Sequence, residues 1–278
     1  MNVPERFKRR ILTHAFAAHC YDHYPLLLAI LGPPGDGKSA QTEAVLTGSG
    51  FTPFRFSAAE LGGSTEGRPI EQLESILKRA DTHANLQGSN PVIVLEDFDL
   101  SPAGRDKDAR YTVNSQLLTG FLMNLADGVS LVNGVSGRRI PIMLTANNIT
   151  NLHGPLTRPG RMDVFVWEPT SDERIAMVYS ALHEHVRGMS LARAAYWCNR
   201  YPQLSIAAFR GAVLACVGEL IYDRVARART AVPLDAVREQ LAVHRPQVSL
   251  TDLDRTLTQR YAAPLPRQNF LVQAVRGQ

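Results

Sequence analysis

Eight consecutive residues, Gly32-Pro33-Pro34-Gly35-Asp36-Gly37-Lys38-Ser39, fit the pattern G-x-x-x-x-G-K-[ST]. Glycines in this pattern let backbone N–H groups turn inward around phosphate oxygens. A helix starting at the end of the loop adds the positive end of its dipole. Lys38 would then reach the β- and γ-phosphates of a nucleotide, and the Ser39 hydroxyl would be a ligand for Mg²⁺. A second stretch, Val92-Ile93-Val94-Leu95-Glu96-Asp97-Phe98-Asp99, follows about 55 residues later, as a partner strand to such a loop should. Its apolar run would deliver carboxylates at the strand's C-terminal edge, beside the phosphate loop. One carboxylate would hold the water shell of Mg²⁺, and one would polarise the attacking water.

Both stretches need a parallel sheet to bring them together. Pro25–Leu31 reads as a short buried strand, and a helix follows from Ser39. Phe51–Ser57 reads as a strand, and Ile70–Ala80 as a helix with Leu73, Ile76 and Leu77 on one face. Pro91–Leu95, Ile140–Thr145 and Val164–Trp167 read as further strands, and Val113–Ala126 as a helix. Residues 5–20 form an amphipathic helix ahead of the first strand. After Pro169 the pattern is helical throughout. Thr170 and Glu173 make a capping box for a helix running toward Arg187. Further helices fall at 190–199, 205–229, 233–244 and 249–261, punctuated by Pro202, Pro233 and Pro246. The expected fold class is α/β. A parallel-sheet P-loop nucleotide-binding domain spans 1–168, and a smaller all-helical domain spans 169–278.

Composition fits this reading. Of the 278 residues, 45% are hydrophobic and 20% charged, which is globular and long enough for a real core. No apolar run approaches the ~20 residues of a membrane span. Met1-Asn2-Val3-Pro4-Glu5-Arg6 opens as a charged helix and not as a signal peptide. Cys20, Cys198 and Cys216 are odd in number and far apart, which points to a reducing, cytoplasmic setting without disulfides. The formal charge is +4 and the pI about 9.1, with no polybasic block, so the charge points only weakly to a polyanionic partner.

Taken together, the phosphate loop, the acidic strand end, Asn147 and Arg158-Pro159-Gly160-Arg161-Met162-Asp163 resemble an AAA+ ATPase. The resemblance implies ATP and Mg²⁺ as cofactors and a homo-oligomeric, hexameric ring. It also implies a sensor role for Asn147, while Arg158 and Arg161, the arginines of an R-x-G-R segment, act on the neighbouring subunit's nucleotide. By position Glu96 would stand on the metal side and Asp97 would polarise water. The family's usual order there is Asp-Glu, so Glu96-Asp97 is reversed. A shorter Asp97 must reach further, and slow hydrolysis is expected. No arginine falls clearly at the lid's second sensor position, where Arg210 is a weak substitute.

A narrower resemblance is to Rubisco activases. It is carried by Asp97-Phe98-Asp99, Ala103-Gly104-Arg105, Tyr111–Gln116, Leu122–Asp127, Pro155–Met162, Trp167–Thr170 and Tyr201-Pro202. It implies a remodeller of a protein complex, with Rubisco among the clients to consider. The chain starts almost at the ATPase module, so it is expected to lack the N-terminal extension by which plant activases engage Rubisco. In the first pore loop, Gly62–Arg68, Thr65 and Glu66 stand where threading motors carry an aromatic pair. A poor grip and limited pulling follow.

Two other readings stand beside this one. A nucleic-acid-associated ATPase or loader rests on pI and arginine content, including Arg224, Arg227 and Arg229. A nucleotide-gated scaffold with slow hydrolysis rests on Glu96-Asp97. His183-Glu184-His185 on a helix would point its histidines to different faces, which disfavours a shared metal. Tyr196-Trp197-Cys198 and Phe209 are expected in the core. Lys38→Ala removes the cation facing the β- and γ-phosphates, so calorimetry should show nucleotide binding lost. Unchanged affinity would place the site elsewhere.

Overall fold

The computed structural model describes residues 2–61, 67–100, 113–128, 135, 137–147, 154–227, 233–243 and 245–261. Two compact units divide the chain, one Val3–Glu168 and the other Pro169–Gln278 together with Met1–Asn2. In the first unit the strands are β1 (Leu27–Leu31), β2 (Phe51–Ser57), β3 (Asn90–Glu96), β4 (Ile142–Ala146) and β5 (Met162–Val166). They form one all-parallel sheet in the order β2-β3-β4-β1-β5. The helices are α1 (Glu5–Cys20), α2 (Lys38–Gly48), α3 (Arg68–Gln87) and α4 (Val113–Ala126).

The inner strands read as unbroken apolar runs because both faces are covered. Leu27 and Ala29 of β1, Ile93 and Leu95 of β3, and Ile142 and Leu144 of β4 join one core with α3 and α4. The alternate residues Leu28, Ile30, Val92, Val94 and Met143 are equally buried on the opposite face, as period-2 alternation requires. Prolines set several boundaries. Pro53 sits within β2, an edge strand, the place in a sheet where a residue with no N–H is tolerated. Pro141 lacks an N–H, so β4 starts at Ile142, two residues later than expected, while the Pro141 carbonyl still accepts from Ile93 N at 2.9 Å. Pro69 occupies the first turn of α3, and Gly88 closes that helix at φ 61°, so α3 outruns the expected Ile70–Ala80 at both ends. Arg139 ties the end of α1 to the start of β1 by donating to the carbonyls of Ala18, Asp22 and Tyr24 at 3.2, 2.5 and 2.6 Å.

The second unit holds α5 (Ser171–Leu182), α6 (Leu191–Arg200), α7 (Ile206–Arg227), α8 (Leu234–Val243) and α9 (Leu250–Tyr261). The capping box forms as expected: Glu173 N donates to Thr170 Oγ1 and Thr170 N to Glu173 Oε2. Trp197, Phe209, Val178, Leu182, Leu253 and Leu257 make this unit's own core. Two expectations change here. Tyr196 is 43% exposed, because one residue along a helix is a turn of about 100° away from Trp197, and the guanidiniums of Arg193 and Arg200 lie over its ring. α5 stops at Leu182, short of Arg187, so His183-Glu184-His185 lies past the helix. There the chain leaves to pair with Val248, whose N–H donates to the His185 carbonyl at 2.8 Å. Among the described residues no helix is long and apolar enough to cross a membrane. Arg229, Ala103-Gly104-Arg105, and residues 62–66 and 111–112 lie outside the described residues.

His14 of α1 is fully buried, and its Nε2 donates to the Leu26 carbonyl at 3.3 Å. Its Nδ1 is buried without a hydrogen-bond partner among the described residues. Burial pushes the imidazole pKa down to about 4. The unfolded chain takes this proton near pH 6.5, and the fold refuses it until about pH 4. His14 therefore costs the fold progressively more as pH falls through that window, by about 3 kcal/mol at the lower end. Urea unfolding at pH 7 and pH 4.5 should show His14→Gln losing less stability on acidification than wild type. Equal losses would mean that His14 does not titrate in this way.

Candidate functional site

β1 is the strand from which the phosphate loop leaves, and it lies between β4 and β5. The loop is bent by glycine. Gly32, Gly35 and Gly37 have φ of 155°, 83° and 78°. A Cβ on Gly32 would lie 2.2 Å from the Trp167 carbonyl oxygen, so the segment that follows β5 packs directly on the loop. Trp167 N donates to Leu31 O at 2.6 Å, and its indole Nε1 donates to Asp36 O at 3.2 Å. Gln41 reaches back from α2 to the same Asp36 carbonyl at 3.1 Å. Pro34 and Gly35 form the exposed crest of the loop.

Lys38 is the first residue of α2 and is 8% exposed. Its Nζ donates to Gly32 O at 2.7 Å, Pro33 O at 2.9 Å and Asn147 Oδ1 at 3.1 Å. All three acceptors are neutral. Desolvation lowers the Lys38 pKa, opposed at longer range by Asp36, Asp99 and Asp97. The chain of bonds continues: Asn147 Nδ2 donates to Asp99 Oδ2 at 3.1 Å, and Asn147 N to the same oxygen at 3.4 Å. Asp99 Oδ1 is buried with no hydrogen-bond partner among the described residues. A second link runs beside the first. Ser39 Oγ and Thr145 Oγ1 are 3.1 Å apart, and Asp97 N donates to Thr145 Oγ1 at 3.3 Å.

Asp97 is exposed and has φ 53°, the one positive φ outside glycine among the described residues. Such backbone strain persists where the surroundings fix it, and it concentrates at functional sites. Glu96, at the end of β3, is ion-paired with Arg55 of β2, Nε to Oε1 at 2.7 Å. The structure thus brings Lys38 and Asn147 into one hydrogen-bonded link and Ser39 and Asp97 into a second beside it, with Glu96 ion-paired to Arg55. Thr145, Asp99, Gln41 and Arg55 were not singled out from the sequence. A threonine at the end of the apolar run Ile142-Met143-Leu144, buried to 1% exposure, was the one local signal available.

The two arginines differ. Arg161 makes a bidentate pair with Asp127, Nε to Oδ1 at 2.7 Å and a terminal nitrogen to Oδ2 at 2.6 Å. It also donates to Pro155 O at 2.8 Å. The pair lowers the Asp127 pKa and raises that of Arg161. Arg158 is exposed, and its side chain has no partner among the described residues. Arg210 is exposed on α7 of the second unit.

The donor set fits a nucleotide. A buried ammonium bonded to three neutral oxygens, at a helix start behind a loop with left-handed glycines, suits phosphate. Among the described residues no group of three or more His, Cys, Asp or Glu forms a metal cage. A hydroxyl and one carboxylate are what Mg²⁺ uses when phosphate oxygens supply its other ligands. Residues 28–170 match the family described as "ATPase family associated with various cellular activities (AAA)". The chain belongs to the AAA family. It is similar to the chloroplastic ribulose bisphosphate carboxylase/oxygenase activase of Zea mays, at 35% identity over 159 residues, covering 55% of this chain and 36% of that one. It is also similar to the corresponding activases of Nostoc sp. at 31% over 191 residues (66% and 46%) and Anabaena sp. at 31% over 209 residues (73% and 49%). The chain spans about a third to a half of the length of these relatives. Within the AAA family it stands near the activase branch.

Because Arg161 braces its own turn and Arg158 does not, Arg161→Ala should lower the melting temperature clearly, while Arg158→Ala leaves it unchanged. Differential scanning calorimetry checks this, and equal effects would mean that the Asp127 pair does not hold the turn.

Proposed function

We propose that this chain is a Mg·ATP-hydrolysing AAA ATPase that assembles into a homo-oligomeric, hexameric ring and remodels a protein complex by limited pulling. What carries the reading is the unbroken chain Lys38–Asn147–Asp99, which links the phosphate loop to the acidic turn. Lys38 would shift its hydrogen bonds toward the β- and γ-phosphates. Asn147, already bonded to Lys38, would lie next to the γ-phosphate and report its presence to Asp99. Asp97 would orient and polarise the attacking water, its backbone held by Thr145. Mg²⁺, held by Ser39 and partly through water by Glu96, would supply charge neutralisation between the phosphates.

Arg158 is exposed and has no side-chain partner among the described residues, which suits it to act on a neighbouring subunit's nucleotide. Arg161 would position Arg158 through the turn that Asp127 fixes. The helical unit after Glu168 would be the lid domain that the family likeness implies. The likeness to ribulose bisphosphate carboxylase/oxygenase activases makes an assembled enzyme of that kind the first client to test. Thr65 and Glu66 offer little apolar area to a threaded chain, which favours local remodelling over processive unfolding.

Asp97→Asn should keep ATP affinity and abolish phosphate release, since the amide keeps the shape and loses the charge. Mixing Arg158→Ala with Lys38→Ala protein should restore part of the ATPase rate, because some interfaces then join an intact arginine to an intact phosphate loop. Such arginines are worth about 10³–10⁵ in rate, so recovery is easy to see. An Arg158→Ala protein that hydrolyses ATP at the wild-type rate would exclude action across an interface.

A further inference from the structure

Glu96, at the end of β3, has a cationic partner. Its Oε1 accepts from Arg55 Nε at 2.7 Å, and its Oε2 has no hydrogen bond among the described residues. The far side of the same guanidinium is bonded to Glu43 Oε2. These three residues come from three elements. Glu43 is on α2, the helix that starts with Lys38 and Ser39. Arg55 is on the edge strand β2, and Glu96 ends β3. In the parallel register Arg55 is level with Val94 and Ser57 with Glu96. Arg55 therefore meets Glu96 diagonally on one face of the sheet, the face that α2 covers. Both contacts raise the Arg55 pKa, the bond to Glu96 being the larger cause. The side chains are 39% exposed for Arg55, 44% for Glu43 and 21% for Glu96, so charge alone is screened and the pairing matters chiefly as geometry.

A glutamate at a strand end has one more torsion than an aspartate, and a free one would sweep its carboxylate over several positions. Arg55 removes that freedom. One Glu96 oxygen is fixed to the guanidinium, which leaves the other to a metal or its water. Glu43 in turn fixes the guanidinium to the helix that carries Ser39. We propose that Arg55 is a positioning residue: held by Glu43, it fixes the Glu96 carboxylate relative to Ser39 so that the two can share a divalent cation. This rests on the nucleotide-site reading above and goes further, because it assigns a role to a residue on the sheet's edge strand that has no part in the phosphate loop.

The test is a Mg²⁺ titration of nucleotide-bound protein, followed by a fluorescent ATP analogue, with Trp167 at the loop as a second reporter. Binding of the analogue without Mg²⁺ is measured first for every variant. If the wild-type protein binds no analogue at all, the nucleotide-site reading fails, and Arg55 is not at issue. With binding intact, Arg55→Met should raise the half-saturating Mg²⁺ concentration about tenfold, as outer partners of metal ligands do. Glu43→Gln should raise it less, in the same direction, and Arg55→Lys should fall between wild type and Arg55→Met. In a Glu96→Asp background the shorter side chain cannot keep the Arg55 contact, so Arg55→Met should change the midpoint less than about twofold. An equal rise in both backgrounds would show that Arg55 supports the fold and does not position Glu96. An unchanged or lowered midpoint in Arg55→Met would overturn the proposal outright. If Arg55→Met does not fold, Glu43→Gln and Arg55→Lys give the same comparison in both backgrounds.

Discussion

Lys38 carries a positive charge into a buried pocket where, among the described residues, every hydrogen-bond partner is a neutral oxygen. Burying an ammonium without an anion is costly, and its lowered pKa records that cost. The rest of the unit is arranged around this constraint. The loop must curl far enough for the carbonyls of Gly32 and Pro33 to reach Nζ, which calls for left-handed glycines. Asp36, Asp99 and Asp97 stand at longer range, near enough to favour the charge without quenching it in an ion pair. A dianionic phosphate is the partner such a group favours, and the fold keeps the place for it.

Asn147 turns that constraint into a connection. Its carbonyl faces Lys38 and its amide faces Asp99, so a shift of the lysine toward phosphate would be felt at the acidic turn. Thr145, two residues earlier and on β4, bonds both Ser39 and the Asp97 backbone. β4 thus works as the reading strand of the site, and its place between β1 and β3 is what allows it to touch both halves. Glu96 sits one strand further out, where Arg55 rather than Thr145 steadies it.

The elements that a local pattern specifies were legible in the sequence. The phosphate loop, the apolar strands, α1, and the capping box at Thr170 all appear where their residues point. What escaped was set by crossover topology. Nothing in the run Phe51–Ser57 says that Arg55 will meet Glu96, because that depends on β2 pairing with β3 in one register. Asp99 looked like one more acidic residue in a turn until β4 brought Asn147 beside it. Arg158 and Arg161 read alike in an R-x-G-R segment, and the position of Asp127 is what marks Arg161 as the braced one. Tyr196 was misplaced for a smaller reason: its apolar neighbours belong to the buried face of α6, and it does not.

The most direct measurement is a comparison of ATP affinity and turnover in Asn147→Ala, the residue through which the phosphate loop and the acidic turn are joined. ATP affinity should stay within a few-fold of wild type, since Lys38 keeps its phosphates, while turnover should fall by about 10²-fold, as loss of one preorganised polar contact does. Wild-type turnover in Asn147→Ala would contradict the account, because the two halves of the site would then work without their link.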